Sequence, residues 1–286
     1  MVPSPAIDIK VWGARGTFPM VGPDALEYGG QTSCVEVRAG AGVLIFDAGS
    51  GIIPLGKALM EEGVTEIDMF FSHVHYDHII GLPYFLPAFW NKARLRIWAG
   101  HMQDGSTPEQ LVDGIFRPPY FPITKDYMRA DVEYHQFAPG DVLEPQPGVR
   151  LVTGSLNHPN GAVGYRVERA GATFCYLTDF EHDAGAGDAE ILRLARNADL
   201  ALLDATYTPE EYPRYVKFGH STWQHCGELC AEAGVKNWGM FHHMHMRTDA
   251  DQHAIEQASQ RVFPNSFAVR QGQLFHLAAK SGRGGK

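Results

Sequence analysis

Three imidazoles and a carboxylate fall within six consecutive positions at His73-x-His75-x-Asp77-His78, and no other stretch of the chain narrows its fold as much. They follow Ile67-Asp68-Met69-Phe70-Phe71, a mostly apolar run that reads as a buried strand. In an extended segment alternate side chains share a face, so His73 and His75 are expected to point the same way. Asp77 and His78 then come from the turn that leaves the strand and face a second, nearby point. Neutral imidazole is the commonest metal ligand, and a carboxylate beside it suits Zn, Mn or Fe. A histidine-rich surface loop has no reason to place four ligand side chains at this spacing behind a buried strand.

The rest of the composition sets bounds. A chain of 286 residues can bury a large core, and α/β folds of this size are routinely single units. One domain over residues 1–286 is the expectation, with its core at 7–277 and a mobile tail at 278–286. The formal net charge of −9 argues against a broad basic face for nucleic acid. The start, Met1-Val2-Pro3-Ser4-Pro5-Ala6-Ile7, lacks a basic segment followed by an apolar one, and no apolar run approaches a membrane span. Cys34 and Cys175 sit in strand-like apolar segments, while Cys226 and Cys230 lie four apart on an expected helix with no second pair at zinc-ribbon spacing. Packing in a reducing cytoplasm is the reading for all four.

Along the chain, residues 7–12 alternate like a strand, and Gly13-Ala14-Arg15-Gly16-Thr17-Phe18-Pro19 leaves it as a glycine-rich loop with backbone N–H groups suited to an anion, or as a plain connection. A hairpin is expected over 33–38 and 42–46, then a helix over 54–62 closed by Gly63. Further on, 82–90 reads as a short helix and 94–99 as a strand, whereas 101–129 is irregular. Its Phe116-Arg117-Pro118-Pro119-Tyr120-Phe121-Pro122 has the composition of a stiff flap or of a surface excursion. Strands are expected over 151–159, 164–168, 173–179, 200–204 and 237–241, with a final one over 267–277. Helices are expected over 188–197, 222–233 and 248–262, the second capped by Ser221 or Thr222 and ended at Gly234.

The His73-x-His75-x-Asp77-His78 run resembles the signature of the metallo-β-lactamase superfamily. That resemblance implies an α/β fold, a four-layer αβ/βα sandwich of two mixed sheets flanked by helices, with a dinuclear metal site at one edge. It further implies His73, His75 and His158 on one divalent cation and Asp77, His78 and His242 on the other, with Asp179 bridging. His158, Asp179 and His242 each follow an apolar strand, as the family's remaining ligands do; His243 is the rival to His242. Asp47 resembles an acidic residue that supports ligands without being one. His101, His182 and His245 stay unassigned. Two cations at such a site hold a water that deprotonates near neutral pH and attacks the electrophile. Zn is the expected metal, with Mn and Fe also allowed by the ligands; Asp77 and His220 are the expected catalytic residues.

Gly219-His220-Ser221-Thr222 narrows the substrate. It resembles the short histidine motif of the ribonuclease-Z-like branch, where that histidine assists departure of an alkoxide. With Val11-Trp12-Gly13-Ala14-Arg15-Gly16 and Tyr28-Gly29-Gly30-Gln31-Thr32-Ser33, the resemblance spans roughly 7–277. One departure counts against tRNA: the family's long tRNA-gripping arm is missing between His158 and Asp179, where only a tight hairpin fits. The expectation is therefore a phosphodiesterase of small substrates such as cyclic nucleotides or cyclic sugar phosphates. The resemblance also admits a homodimer. Thioester or lactone hydrolysis, ribonuclease Z-type processing and a non-catalytic sensing module are the alternatives.

Overall fold

Apolar side chains at Ile7, Ile9 and Val11 put every second residue of the first strand, β1 (Pro5–Gly13), fully inside the protein. In the computed structural model, which describes residues 5–183 and 185–280, fourteen strands and six α-helices follow in chain order. The first sheet joins β1 to β2 (Cys34–Arg38), β3 (Val43–Phe46), β4 (Glu66–Phe70), β5 (Arg94–Ala99) and β6 (Asp131–Gln136), with β14 (Leu274–Ala278) on its other side. The second runs from β7 (Val142–Gln146) through β8 (Val149–Leu156), β9 (Ala162–Arg169), β10 (Ala172–Leu177), β11 (Leu200–Asp204) and β12 (Trp238–Phe241) to β13 (Ser266–Ala268). Each sheet has an antiparallel half and a parallel half. Pairing is antiparallel from β14 to β3 and from β7 to β10, and parallel from β3 to β6 and from β10 to β13.

The sheets pack face to face. Ile9, Val37, Phe46 and Phe70 from the first meet Leu151, Tyr165, Phe174 and Leu202 from the second. Outside the first sheet, α1 (Ile52–Glu62) buries Leu55 and Leu59 against Ile45 and Met69. Outside the second, α4 (Ala186–Ala195), α5 (Trp223–Ala233) and α6 (Asp249–Val262) bury Ile191, Leu229 and Ile255 against Cys175, Leu203 and Met240. Helix, sheet, sheet, helix is the four-layer order expected. Each such side chain contributes about 1.5–3 kcal/mol relative to exposure. All four cysteines are buried free thiols, and no helix among the described residues is long and apolar enough to cross a membrane.

Several expectations change. The stretch 82–90 forms two 3-10 turns, Leu82–Tyr84 and Leu86–Phe89, because Pro87 would fall inside a continuous α-helix, where it removes a backbone donor and its ring clashes with the carbonyl four residues back. The irregular 101–129 contains α3 (Pro108–Ile115), capped by reciprocal bonds between Thr107 and Gln110. In the proline-aromatic run, Phe116 is buried against Phe89 and Phe121 while Tyr120 is exposed. The final strand over 267–277 is two strands in different sheets, β13 and β14, separated by a turn in which Gly272 has φ +85°. Of the expected tail, Ala278 closes β14 and the Lys280 N–H donates to Ala170 O at 2.9 Å; the mobility expected of 281–286 lies outside the described residues.

Candidate metal centre

Strand ends from both sheets come together. β4 and β12 end just before His73 and His242, β10 before Asp179 and β8 before His158, while β11 ends on Asp204 itself. The carboxyl ends of strands are where open α/β sheets gather ligands. After β4 the chain leaves the sheet, and His75 opens the short α2 (Tyr76–Ile79), which carries Asp77 and His78. Two of these turns, and the one that leaves β3, use the left-handed backbone at non-glycine residues, with φ of +55° at Asp179, +59° at His242 and +63° at Asp47. Such conformations persist where the surroundings over-determine them, commonly at functional sites.

Two sets of side chains result. The ligand atoms of His73, His75 and His158 lie within 4.8 Å of one another, and so do those of Asp77, His78, Asp179 and His242. His158 Nε2 is 3.1 Å from His75 Nδ1, and His242 Nε2 is 3.0 Å from Asp77 Oδ2. Asp179 Oδ2 touches both sets: it is 3.3 Å from His78 Nε2, 3.4 Å from His242 Nε2, 3.6 Å from His73 Nε2 and 3.9 Å from His158 Nε2. Asp179 thus stands between the two sets.

The backs of the imidazoles are held. His78 Nδ1 donates to Asp47 Oδ2 at 2.8 Å and His158 Nδ1 donates to Gly219 O at 2.8 Å. His73 Nδ1 lies 3.1 Å from Ser72 Oγ and His242 Nδ1 2.9 Å from Thr206 Oγ1. Asp47 also accepts from the Ser72 N–H and hydroxyl, both at 2.7 Å, and from the Tyr176 hydroxyl at 2.8 Å. It lies behind His78 and outside both sets. Partners on Nδ1 fix the tautomer and aim Nε2 at the centre. There, His73 Nε2 and His78 Nε2 are buried with no hydrogen-bond partner. Unpaired, and set among carboxylate oxygens and other imidazoles, these two nitrogens fit a pair of cations.

Charge agrees with that fit. Burial drives His73 well below the ordinary imidazole range and His158 down to about 4, which keeps both neutral as ligands must be. Burial opposes charge on Asp77 and Asp179, yet His78 and His242 around them hold both carboxyls well below the usual range. Against its own burial, His78 is raised well above the ordinary range by Asp179, Asp77 and Asp47, a surplus of negative charge that a cation would neutralise in place of that proton.

His220 stands apart. Its ring stacks on His242 at 4.6 Å, and its Nδ1 donates to Asp204 Oδ2 at 2.7 Å, leaving Nε2 as the atom able to meet a substrate. Burial opposes its protonation, but Asp204 and then Asp179 raise it to about 9. Asp179, Asp204, His220 and His242 also form a third, overlapping group. Asp204 and His220 satisfy each other directly. A 530 Å³ cleft lined by Thr17, Tyr76, Asp77, Asp179 and His220 opens beside them.

Of the rivals, His243 is turned away and its Nε2 donates to Val269 O at 2.8 Å. His182 stacks on His225 at 4.3 Å, outside both sets. The Gly13–Pro19 loop does not leave free N–H groups for an anion: the Thr17 N–H donates to Asp77 Oδ2 at 2.7 Å. Gly16 lies so close to His242 that a Cβ would come within 2.2 Å of its ring.

Two functional residues were missed from sequence. Asp204 ends an apolar strand, the same signal that marked Asp179. Glu181 carries no such signal. Its carboxylate accepts from the Tyr212 hydroxyl and the Lys217 N–H, both at 2.7 Å, and from the Gly219 N–H at 3.0 Å, pinning the loop that holds His158 and leads to His220.

Comparison with known proteins agrees with this geometry. The family model described as "Beta-lactamase superfamily domain" matches residues 43–244, well over half of the chain. Ribonuclease Z from Gemmatimonas aurantiaca is 23% identical, the alignment covering 86% of this chain and 90% of that one. The fold is shared with the metallo-β-lactamase fold protein YhfI from Bacillus subtilis, at TM-score 0.71, 19% identity and coverage of 94% and 99%. It is shared equally with a diphosphatase from the PhnP family, at TM-score 0.69, 20% identity and coverage of 96% and 100%. The protein belongs to the metallo-β-lactamase superfamily, gathers histidine and aspartate side chains suited to a dinuclear metal site, and is similar over most of its length to ribonuclease Z.

Proposed function

We propose that the protein hydrolyses phosphodiester bonds in small substrates, with His220 protonating the departing oxygen. The observation that carries this is His220, held by Asp204 at 2.7 Å and lining the same cleft as Asp179. His73, His75 and His158 would hold one divalent cation, Asp77, His78 and His242 a second, and Asp179 both, with Zn first and Mn or Fe as substitutes. Bound there, a cation pair supplies a water of lowered pKa and positive charge beside the phosphoryl oxygens. The chain supplies the rest. Asp204 orients the His220 imidazole and keeps its proton on hand, so that Nε2 can give it to the leaving alkoxide. Alkoxides leave poorly, and a positioned acid contributes about 10²–10⁴-fold to such a step.

Small substrates are supported by the chain between His158 and Asp179, which is taken up by the β9–β10 hairpin with no arm. The net charge of −9 points the same way. The ribonuclease Z relative makes RNA cleavage the second reading, with no arm here to grip tRNA.

The test pairs two diesters, bis(p-nitrophenyl) phosphate and a 2′,3′-cyclic nucleotide. Chelation should abolish turnover of both in the reconstituted protein. His220→Ala should lower kcat by about tenfold or more on the cyclic nucleotide and by less on the aryl diester, whose leaving group needs little protonation. Equal loss on both would remove His220 from the acid role.

A further inference from the structure

Two sequence motifs, Val11-Trp12-Gly13-Ala14-Arg15-Gly16 and Tyr28-Gly29-Gly30-Gln31-Thr32-Ser33, have no part in the reaction proposed above. Arg15 joins them. Its side chain is 1% exposed. Nε and Nη2 donate to Gly29 O at 3.2 and 2.9 Å, and Nη1 donates to Arg247 O at 2.8 Å and to Met244 O at 3.3 Å. Every one of these acceptors is a backbone carbonyl. A buried charge that bonds no carboxylate is costly to keep, and an apolar side chain of like volume often serves stability as well. What the guanidinium contributes is placement. It fixes the 13–19 loop, the 28–33 turn and the 244–247 turn against one another.

We propose that Arg15, working partly through Arg247, is a positioning residue that sets Asp77 and His242 and so tunes the acidic half of the centre alone. This inference rests on the two-cation reading of the site and not on the choice of substrate.

Two routes lead from Arg15 to those residues. One runs along its own loop. The Gly16 N–H donates to His243 O and the His243 N–H to Ala14 O, both at 2.9 Å, which locks the loop beside His242. Thr17 follows with φ +66°, a left-handed backbone that a β-branched residue adopts only under constraint. That turn aims the Thr17 N–H at Asp77 Oδ2, the oxygen 3.0 Å from His242 Nε2. The other route passes through Arg247, itself buried, whose Nη2 donates to Thr206 O and to Glu211 Oε2, both at 2.8 Å. Thr206 Oγ1 lies 2.9 Å from His242 Nδ1 and from Asp204 Oδ1. Neither route reaches the three-histidine set, whose partners are Ser72 at His73, Asn160 at His75 and Gly219 O at His158.

Stepwise zinc titration against a chelating dye, with the visible absorption of the cobalt(II)-loaded protein, tests this without requiring turnover. Arg15→Lys keeps the charge but cannot span the three carbonyls. One of the two ions should then bind about tenfold weaker and the other within about twofold of wild type, with the cobalt bands shifted. Glu211→Gln, at the half-buried end of the network, should give the same one-sided change at about threefold. It stays informative should the Arg15 variant fold poorly. Equal weakening of both ions, or unchanged affinities and cobalt bands in the folded variants, would overturn the positioning role. A wild type that takes up no second ion would instead reject the two-cation centre, and the role with it.

Discussion

His75 and His78 each present a nitrogen to the centre, but only His78 is backed by a carboxylate. His78 is fully buried and donates to Asp47, which also takes the hydroxyl of Tyr176 from the opposite sheet. His75 is half-buried and has the Asn160 carboxamide behind it, on a loop. The acidic set is thus built from bonds that also join the two sheets, whereas the histidine set hangs partly on loops. One half of the centre is a by-product of folding. The other must be positioned by its neighbours.

Asp47→Ala should break this comparison most severely. It strips a buried acceptor from His78, Ser72 and Tyr176, and loss of one partner from such a network costs about 3–5 kcal/mol. Denaturant unfolding of the metal-free protein measures it, and a change near zero would mean the acidic set is not tied to the fold. His75→Ala should show the opposite pattern: about 10–100-fold weaker metal binding, with unfolding shifted by less than about 1 kcal/mol. A large loss of stability would make the two sets alike.

His243 serves as the contrast outside both sets. Burial pushes it down to about 3, whereas an unfolded imidazole titrates near ~6.5. Between those values the unfolded chain binds the extra proton, so the contribution is complete above about pH 6.5 and is lost as pH falls, by up to ~1.4 kcal/mol per unit. Urea unfolding at stepped pH should show that slope, and His243→Asn should flatten it. Glu181→Gln should have the smallest effect. With one oxygen replaced by a donor, the 212–219 loop loses an acceptor, and kcat should fall about three- to tenfold with melting temperature nearly unchanged. An unchanged kcat would show that the loop holds His158 and His220 without it.

The clustering of the strand-end residues was legible because each is a polar residue closing an apolar run, a pattern that survives without knowledge of the partner strand. Asp204 obeys the same rule at the end of β11, but its role depends on a neighbour sixteen positions away, His220, that only the fold brings within 2.7 Å. Glu181 was illegible because it works through backbone N–H groups, and those leave no trace in residue type. β6 and β7 were passed over because Asp131–Gln136 and Val142–Gln146 are polar and only partly buried edge strands. α3 was legible and missed, since Thr107 and Gln110 spell its capping box. The split between β13 and β14 could not be seen locally: both segments are apolar, and which sheet takes each is decided by pairing with β12 and β1.

The central claim is that Asp179 joins two cation sites into one centre. Metal stoichiometry by mass spectrometry, on wild type and Asp179→Ala after identical reconstitution, tests it most directly. The account predicts two ions per wild-type chain and no more than one tightly held in the variant. A single ion in the wild type, or two retained without Asp179, would contradict it.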